Sequence, residues 1–343
     1  MSHPILGLDR AWQVYSARKP SGWGWNKVHA ARDVSLDVHE GQTLVIVGES
    51  GSGKSTLARL LLMLARPTSG QVRYRGQSLA GLDRRTYAQY RREVQTVFQD
   101  PSSSLNPRMS VEESLAHVVR RHRLGAPGEQ HAFLARQLES VGLSPAPEYL
   151  ARYPHQLSGG QQQRIAIARA MMLEPRLIIA DEPLSSLDVS IQAQVLDLML
   201  ELRRRTQVGF VVISHDLGAM QAIADRTAVM YRGRIVELGD RVYEQPAHPY
   251  TRLLLDARLT TDPRRSRIRA GWSAPKAGSP PAAASAGGCS FRERCPYAIA
   301  VCAETEPELR PVGNGSAQAA CHRAHELIAT LATQTPSPVA PAA

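Results

Sequence analysis

The feature that most constrains the fold of this 343-residue chain is a glycine-rich loop that directly follows a buried strand. Residues 44–47 (LVIV) form a continuous apolar run, which is typical of a parallel strand covered on both faces. Residues 48–56 (GESGSGKST) fit the phosphate-binding pattern G-x-x-x-x-G-K-S/T, and a helical pattern follows at 57–64. The order strand, loop, helix therefore predicts an α/β core whose loop binds a nucleoside triphosphate.

This loop supplies most of the predicted nucleotide-binding residues. Its glycines allow a tight turn in which backbone N–H groups face phosphate oxygens, and the following helix adds the positive end of its dipole. We expect Lys54 to reach the β- and γ-phosphates, Ser55 to bind Mg²⁺ and Thr56 to support the loop. The loop residues predicted to bind the nucleotide are Gly48, Ser50, Gly51, Gly53, Lys54, Ser55 and Thr56.

Two acids follow a second buried strand. Residues 177–180 (LIIA) lead directly into Asp181 and Glu182. A parallel strand that ends in acids places them at the carboxyl edge of the sheet, facing the phosphate loop. We expect Asp181 to hold Mg²⁺ and Glu182 to orient or deprotonate the attacking water, as phosphoryl transfer requires. Without the phosphate loop, such a pair would be interpreted as a solvated turn.

Two further catalytic candidates lie next to predicted strands. His215 follows the apolar run 208–213, one strand beyond the two acids, and from there it can reach the γ-phosphate from the opposite side. Gln99 lies where the core meets a helical region, so it can contact Mg²⁺ or the attacking water. Neither residue is informative alone, and both predictions depend on the phosphate loop.

Residues 157–164 (LSGGQQQR) resemble the signature of ATP-binding cassette (ABC) proteins, in which one subunit's signature closes over ATP held by another. Together with the motifs above and the segment 186–188 (SLD), they make the chain resemble the ATPase subunit of an ABC transporter over about residues 5–258. The resemblance implies ATP and Mg²⁺ as cofactors. It also implies ATP contacts for Ser158, Gly159, Gly160, Gln161 and Asp188.

In this family an aromatic side chain upstream of the phosphate loop stacks on adenine. Tyr15 is our candidate for that role, and the resemblance leaves Trp12, Trp23 and Trp25 as alternatives.

The resemblance implies a P-loop NTPase fold: a RecA-like α/β core with a parallel sheet, an antiparallel β subdomain and an inserted α-helical subdomain. Helical patterning with several prolines places the insert at about 100–170, within an ATPase domain of residues 1–258. The Arg-, Pro-, Ala- and Gly-rich composition of 259–288 predicts a linker. A small Cys-bearing module is expected at 289–330, followed by a disordered tail at 331–343.

Four short segments narrow the resemblance to dipeptide and oligopeptide importers: 98–101 (FQDP), 104–108 (SLNPR), 153–155 (YPH) and 248–251 (HPYT). The implied function is ATP-driven peptide import through closure of two cassettes. The implied partners are a second homologous ATPase subunit in a heterodimer, two transmembrane permease subunits and, indirectly, an extracytoplasmic solute-binding protein. A nickel importer shares part of the pattern. A soluble ABC ATPase is the rival from another class, although the chain shows one phosphate loop and no sustained heptads.

Composition limits the other function classes. The formal net charge is +10, but the arginines are scattered and form no basic stripe with aromatics, so we expect no nucleic-acid binding. No stretch approaches the ~18 apolar residues of a membrane span, and the N-terminus lacks the pattern of a secretory signal. We therefore expect a peripheral protein on the cytoplasmic face of the cell membrane, held there by its membrane subunits.

All the cysteines lie in one C-terminal stretch: Cys289, Cys295, Cys302 and Cys321. Disulfides are disfavoured in a cytosolic chain, so this clustering suggests metal ligation. The resemblance implies a 4Fe–4S cluster, thiolates suit zinc equally, and a metal-free segment is the third alternative. Because the stretch is remote in sequence from the ATP-handling residues, we expect a centre there to shape or dock the tail rather than take part in hydrolysis.

Overall fold

A computed structural model describes residues 4–18, 24–100, 105–126, 128–257, 287–313 and 316–333. The linker expected at 259–288 lies outside the described residues, except for Gly287 and Gly288. Trp23 and residues 334–343 of the expected tail also lie outside them.

The strands form two sheets. In chain order they are β1 (Leu6–Arg18), β2 (Trp25–Val38), β3 (Thr43–Val47), β4 (Ser69–Tyr74), β5 (Gln77–Ser78), β6 (Val94–Val97), β7 (Leu177–Asp181), β8 (Gly209–Ser214), β9 (Arg226–Tyr231), β10 (Arg234–Gly239), β11 (Arg310–Pro311) and β12 (Gln318–Ala319). The larger sheet has the order β11-β12-β10-β9-β3-β8-β7-β6, and the smaller one has the order β2-β1-β4-β5.

The middle of the larger sheet is the parallel α/β core that the sequence predicted. Strands β9, β3, β8, β7 and β6 are parallel to one another, and every residue of β3 and β8 is buried. Burial on both faces explains the unbroken apolar runs of these strands. Their carboxyl ends meet at one edge of the sheet, so the segments that follow β3, β6, β7 and β8 are brought together there.

The smaller sheet is antiparallel and supplies the expected β subdomain. Along the second half of β2, Val34, Leu36 and Val38 are buried whereas Ser35 and Asp37 are exposed, so that one face of the strand is covered. The buried face packs with the first helix and one face of the central sheet in a single apolar cluster.

The helices cover the larger sheet and form the insert. They are α1 (Lys54–Leu61), α2 (Arg84–Glu93), α3 (Val111–His122), α4 (Gln130–Glu139), α5 (Ala146–Leu150), α6 (Gly159–Met171), α7 (Val189–Thr206), α8 (Leu217–Met220), α9 (Pro249–Asp256), α10 (Val301–Glu304) and α11 (Ala324–Thr333). Between β6 and β7, every regular element of the described residues is helical, which confirms the helical subdomain. Its buried leucines, Leu115, Leu138 and Leu150 among them, share one core cluster with Val45 and Ile178 of the sheet.

The C-terminal segment packs directly on this core. Strand β12 pairs antiparallel with β10, and the Ala320 N–H donates to the Val236 carbonyl at 2.8 Å. Helix α11 continues through Thr333, so the expectation of a disordered tail from residue 331 is wrong for residues 331–333. The reason is that Leu327 and Leu331, one helical turn apart, are both buried.

Candidate functional site

The phosphate loop is held tightly between β3 and α1, and two of its glycines are required by close backbone contacts. A Cβ atom on Gly48 would lie 2.2 Å from the Met230 carbonyl oxygen. At Gly53, where φ is +105°, a Cβ atom would lie 2.1 Å from the Ala30 carbonyl oxygen. Strands β9 and β2 therefore fix the loop from two sides, and a side chain at either glycine would displace it.

Two buried polar groups of the loop are suited to phosphate. Lys54 is 4% exposed, and its ammonium donates to the Gly48 and Glu49 carbonyl oxygens at 2.8 and 2.9 Å. Burial lowers the pKa of Lys54, whereas the charges of Glu182, Asp181 and Glu49 act in the opposite direction. The Ser52 hydroxyl is buried and makes no protein hydrogen bond, which costs about 1–3 kcal/mol unless a ligand satisfies it.

Ser55 and Asp181 meet across the site. The Ser55 hydroxyl, in the first turn of α1, donates to Asp181 Oδ1 at 3.2 Å at the end of β7. Burial raises the pKa of Asp181, and the hydrogen bond from Ser55 acts in the opposite direction. A hydroxyl beside a carboxylate is an oxygen donor set of the kind that Mg²⁺ prefers, so these residues fit the predicted cation.

The three predicted catalytic residues also converge, because they follow β6, β7 and β8 at the same edge of the sheet. Glu182 Oε2 accepts a hydrogen bond from Gln99 Nε2 at 3.1 Å and lies 3.5 Å from His215 Nδ1. Glu182 has a φ of +45°, and its N–H donates to the Ile213 carbonyl at 2.9 Å. This left-handed conformation costs of the order of 1–3 kcal/mol in a non-glycine residue, and such strain is common at active sites.

The signature segment is placed apart from this cluster. Ser158 caps the N-terminus of α6: its hydroxyl accepts from the Gln161 N–H at 3.3 Å, and the Gln161 side chain accepts from the Ser158 N–H. A Cβ atom on Gly160 would lie 2.5 Å from Ile191 Cγ2, and one on Gly159 would lie 3.2 Å from Leu187. Within the described residues, no hydrogen bond joins residues 158–161 to the phosphate loop of the same chain.

The remaining predicted contacts lie at the margins of the site. Asp188 is the last residue of the segment 186–188 and the N-cap residue of α7. Its side chain makes no capping hydrogen bond. Tyr15 is half-buried on β1 and pairs with Val28 of β2, two residues before the Ala30 carbonyl that contacts Gly53. Trp12 stacks edge-on with His29, and Trp25 is 67% exposed. The adenine contact of Tyr15 stays a prediction.

Two residues contact Glu49, the second position of the phosphate loop, and neither contact could be predicted from the sequence. The Glu49 N–H donates to the Tyr250 hydroxyl at 2.8 Å, and the Glu49 carboxylate accepts two hydrogen bonds of 2.8 Å from the guanidinium of Arg294. Tyr250 belongs to the HPYT segment. The sequence of that segment indicated peptide importers but did not predict its contact with the phosphate loop. Arg294 lies 245 residues from Glu49, and no sequence pattern links them.

The cysteines are free thiols, each partly buried. The Cys289 N–H donates to the Cys302 carbonyl at 2.8 Å. The charges of neighbouring cysteines raise the pKa of Cys295 and of Cys321, but less than burial does. Burial raises the pKa of Cys295 to about 11 and that of Cys321 to about 12. In the part of the chain that the structure describes, no group of three or more His, Cys, Asp or Glu side chains is arranged to hold a metal ion. The predicted cysteine metal centre is therefore not confirmed, because the side chains are placed as separate thiols.

Comparison with known proteins identifies the family. Residues 31–185 match the family model described as ABC transporter, and residues 236–302 match the model described as Oligopeptide/dipeptide transporter, C-terminal region. The chain is 44% identical over 309 residues to the Di/tripeptide transport ATP-binding protein DppF of Pseudomonas aeruginosa, with 89% of this chain and 93% of that protein covered. The chain belongs to the ABC transporter family. This ABC ATPase is also 44% identical to y4tS of Sinorhizobium fredii, which bears the name probable peptide ABC transporter ATP-binding protein, over 94% of this chain and 90% of that protein.

Solved structures agree with the assignment of this ABC ATPase. The dimeric post-hydrolysis state of the ATP-binding cassette MJ0796 bound to ADP and Pi has a TM-score of 0.58 and 29% identity, covering 67% of this chain and 96% of that one. The cbiO1 protein of Clostridium perfringens, at 24% identity and a TM-score of 0.61, shares the fold over 78% of this chain and all of its own. Across the described residues, no helix has the length and apolar character needed to span a bilayer.

Proposed function

We propose that the chain is the ATP-hydrolysing subunit that powers import of di- and oligopeptides through a membrane ABC transporter. The observation that carries the peptide assignment is the match of residues 236–302 to the C-terminal region of oligopeptide and dipeptide transporters. The peptide-transport names of the two relatives support it. In this proposal residues 1–258 form the ATPase domain and residues 289–330 form the C-terminal module.

The hydrolytic roles follow from the cluster at the carboxyl edge of the sheet. Glu182 orients and deprotonates the attacking water, since Gln99 and His215 contact its carboxylate from the two neighbouring strand ends. His215 and Gln99 are then placed to contact the γ-phosphate and the water. Ser55 and Asp181, with Gln99 nearby, would hold Mg²⁺, which when bound offsets the negative charge of the phosphates.

The nucleotide is held by the loop at one end and by an aromatic ring at the other. Lys54 exchanges its two carbonyl partners for phosphate oxygens, and the N–H groups of residues 48–56 donate to the same phosphates. Tyr15 stacks on adenine, because the pairing of β1 with β2 brings it close to the strand that contacts Gly53.

The signature acts on ATP held by a second, homologous cassette, and the proposed pair is a heterodimer. Supporting this, the signature makes no hydrogen bond to its own phosphate loop in the described residues, and the cassette MJ0796 is described as dimeric. In the closed pair, Ser158, Gly160 and their neighbours donate to the γ-phosphate, where preorganised donors are most effective. Asp188 lies at the same face.

The proposed complex contains two transmembrane permease subunits and receives its peptide from an extracytoplasmic solute-binding protein. The chain would then sit peripherally on the cytoplasmic face of the membrane. To test this, the chain is affinity-purified from membranes, the co-purifying subunits are identified, and the complex is reconstituted in vesicles with labelled dipeptide or ⁶³Ni²⁺ outside. ATP-dependent dipeptide uptake is expected; nickel uptake alone, or recovery without permeases, contradicts the proposal.

For the cysteines, we propose that Cys289, Cys295, Cys302 and Cys321 ligate one centre, a 4Fe–4S cluster rather than zinc. The support is that all are free and partly buried, and that the charges of Cys289, Cys295 and Cys302 raise the pKa of Cys321. Their side chains would have to turn toward one another to ligate a metal. Protein purified without oxygen should contain about four iron and four sulfide per chain. One zinc would favour the alternative, and four titrating thiols without metal would contradict both.

A further inference from the structure

The C-terminal module reaches the phosphate loop through an ion pair that the function above does not use. The guanidinium of Arg294 donates to both carboxylate oxygens of Glu49, each at 2.8 Å. The Arg294 side chain is 13% exposed and the Glu49 side chain is 42% exposed. Bidentate, partly buried pairs fix geometry more strongly than exposed pairs do, because they are less screened and hold both partners in one plane.

Arg294 itself is held in place by aromatic rings of the core. Its guanidinium carbon lies 5.6 Å from the ring centre of Phe291 and 5.9 Å from that of Tyr231. Phe291 is 1% exposed and packs against Tyr231 and Tyr250 with ring centres 5.3 and 5.4 Å apart. The hydrogen bonds to Glu49 raise the pKa of Arg294, so its charge persists.

The backbone of the same loop residue is held by the HPYT segment. Tyr250 accepts the Glu49 N–H, and the Tyr250 N–H in turn donates to Nδ1 of His248 at 3.0 Å. Burial lowers the pKa of His248 to about 3, so the ring stays neutral and Nδ1 keeps its lone pair. Thr251 and the N–H groups of Ala247 and His248 donate to the buried carboxylate of Glu237 on β10, which anchors the start of α9.

We propose that Arg294 and Tyr250 are positioning residues of the phosphate loop, so that docking of the C-terminal module sets the affinity of this ABC ATPase for nucleotide. Glu49 lies between Gly48 and the remainder of the loop, and its main chain and side chain are both restrained by groups outside the loop. Restraint keeps the loop N–H groups in the arrangement that binds phosphate, which lowers the entropy lost on binding. The inference rests on the proposed ATP-binding role of residues 48–56.

The coupling must be reciprocal. If a docked module strengthens ATP binding by some factor, bound ATP strengthens docking of the module by the same factor. A purely structural contact at the surface would not produce that second effect, so the two measurements together separate positioning from simple stabilisation.

The first experiment measures displacement of a fluorescent ATP analogue from the full chain. Arg294→Ala should weaken ATP binding about five- to tenfold, and Arg294→Lys should recover part of the loss. Glu49→Gln removes the other partner of the ion pair and should give a similar loss of ATP affinity. The double variant that combines Glu49→Gln with Arg294→Ala should bind ATP no more weakly than either single variant. Arg310→Ala is the matched control, because it removes an arginine of the same module whose pair with Glu308 is exposed.

The second experiment measures hydrogen exchange of residues 289–295 with and without saturating ATP. Exchange should slow on ATP binding in the natural chain and not in Glu49→Gln. The inference would be overturned if Arg294→Ala and Glu49→Gln bound ATP as tightly as the natural chain or more tightly. Additive losses of ATP affinity in the double variant would also overturn it, as would a hydrogen-exchange rate of residues 289–295 that does not change when ATP binds. Failure of the natural chain to bind ATP would instead refute the proposed function of the loop.

Discussion

In the proposed function the phosphate loop and the signature are two halves of an ATP site, and the structure places them in different surroundings. The loop is joined to its catalytic partners within the chain: Ser55 contacts Asp181, and Glu182 contacts Gln99 and His215. The signature residues 158–161 bond among themselves at the start of α6 and, within the described residues, make no hydrogen bond to the loop. One half is therefore assembled by folding, whereas the other is proposed to act only after two chains associate.

The largest effect is expected from the assembled half. Glu182→Gln removes the carboxylate that is proposed to activate water, while the proposed nucleotide and cation sites keep their other ligands. Turnover of the reconstituted complex should fall about 10²- to 10³-fold, with ATP binding retained and an ATP-bound dimer accumulating. Steady-state phosphate release and gel filtration measure the two effects. Near-normal turnover would remove Glu182 from the catalytic role.

Lys54→Ala should act on binding rather than on chemistry. The variant removes a buried ammonium that can contact phosphate, and hydrogen bonds to charged groups contribute about 1.5–3 kcal/mol. The dissociation constant for ATP in the isolated chain should therefore rise roughly 10- to 100-fold. Equilibrium titration checks this, with Lys27→Ala on the exposed part of β2 as a control. An unchanged constant would show that the loop binds phosphate without Lys54.

Two glycine variants compare the packing of the phosphate loop with that of the signature. Gly53→Ala places a Cβ atom 2.1 Å from a backbone oxygen at a φ of +105°, so we expect the loop to be displaced and ATP binding to be lost. Gly160→Ala meets a side-chain methyl of Ile191 at 2.5 Å, and side-chain repacking should limit the loss of stability to about 1–3 kcal/mol. Thermal unfolding and ATP titration of both variants test this. Loss of ATP affinity in isolated Gly160→Ala would contradict the separation of the two halves.

The smallest effect on affinity is expected at the signature. Ser158→Arg should leave the ATP affinity of the isolated chain within about twofold, because the site and the substitution are independent within one chain. The same variant should prevent closure of the cassette pair by placing a bulky charge at the proposed interface. ATP titration of the isolated chain and ATP-induced dimerisation measure these two effects. Equal losses of ATP affinity in Ser158→Arg and Lys54→Ala would mean that the signature does not act across an interface.

The arrangement of the phosphate loop and its neighbouring side chains could be predicted from the sequence alone. The residues that follow a parallel strand lie at the carboxyl edge of the sheet, so the positions of Gly48–Lys54, Asp181, Glu182 and His215 followed from where the apolar runs end. The same runs predicted the buried strands of the core. Local spacing was sufficient in each of these cases.

Contacts between distant segments, by contrast, could be found only from the way the elements pack. The pairing of β12 with β10, and the contact of Arg294 with Glu49, join parts of the chain more than 70 residues apart for which no periodic pattern exists. For the same reason, the sequence did not predict the positive φ of Glu182 or the hydrogen bond between the Glu49 N–H and Tyr250. Apolar periodicity reports which face of an element is buried, whereas the partner of a buried side chain is set by how the elements pack.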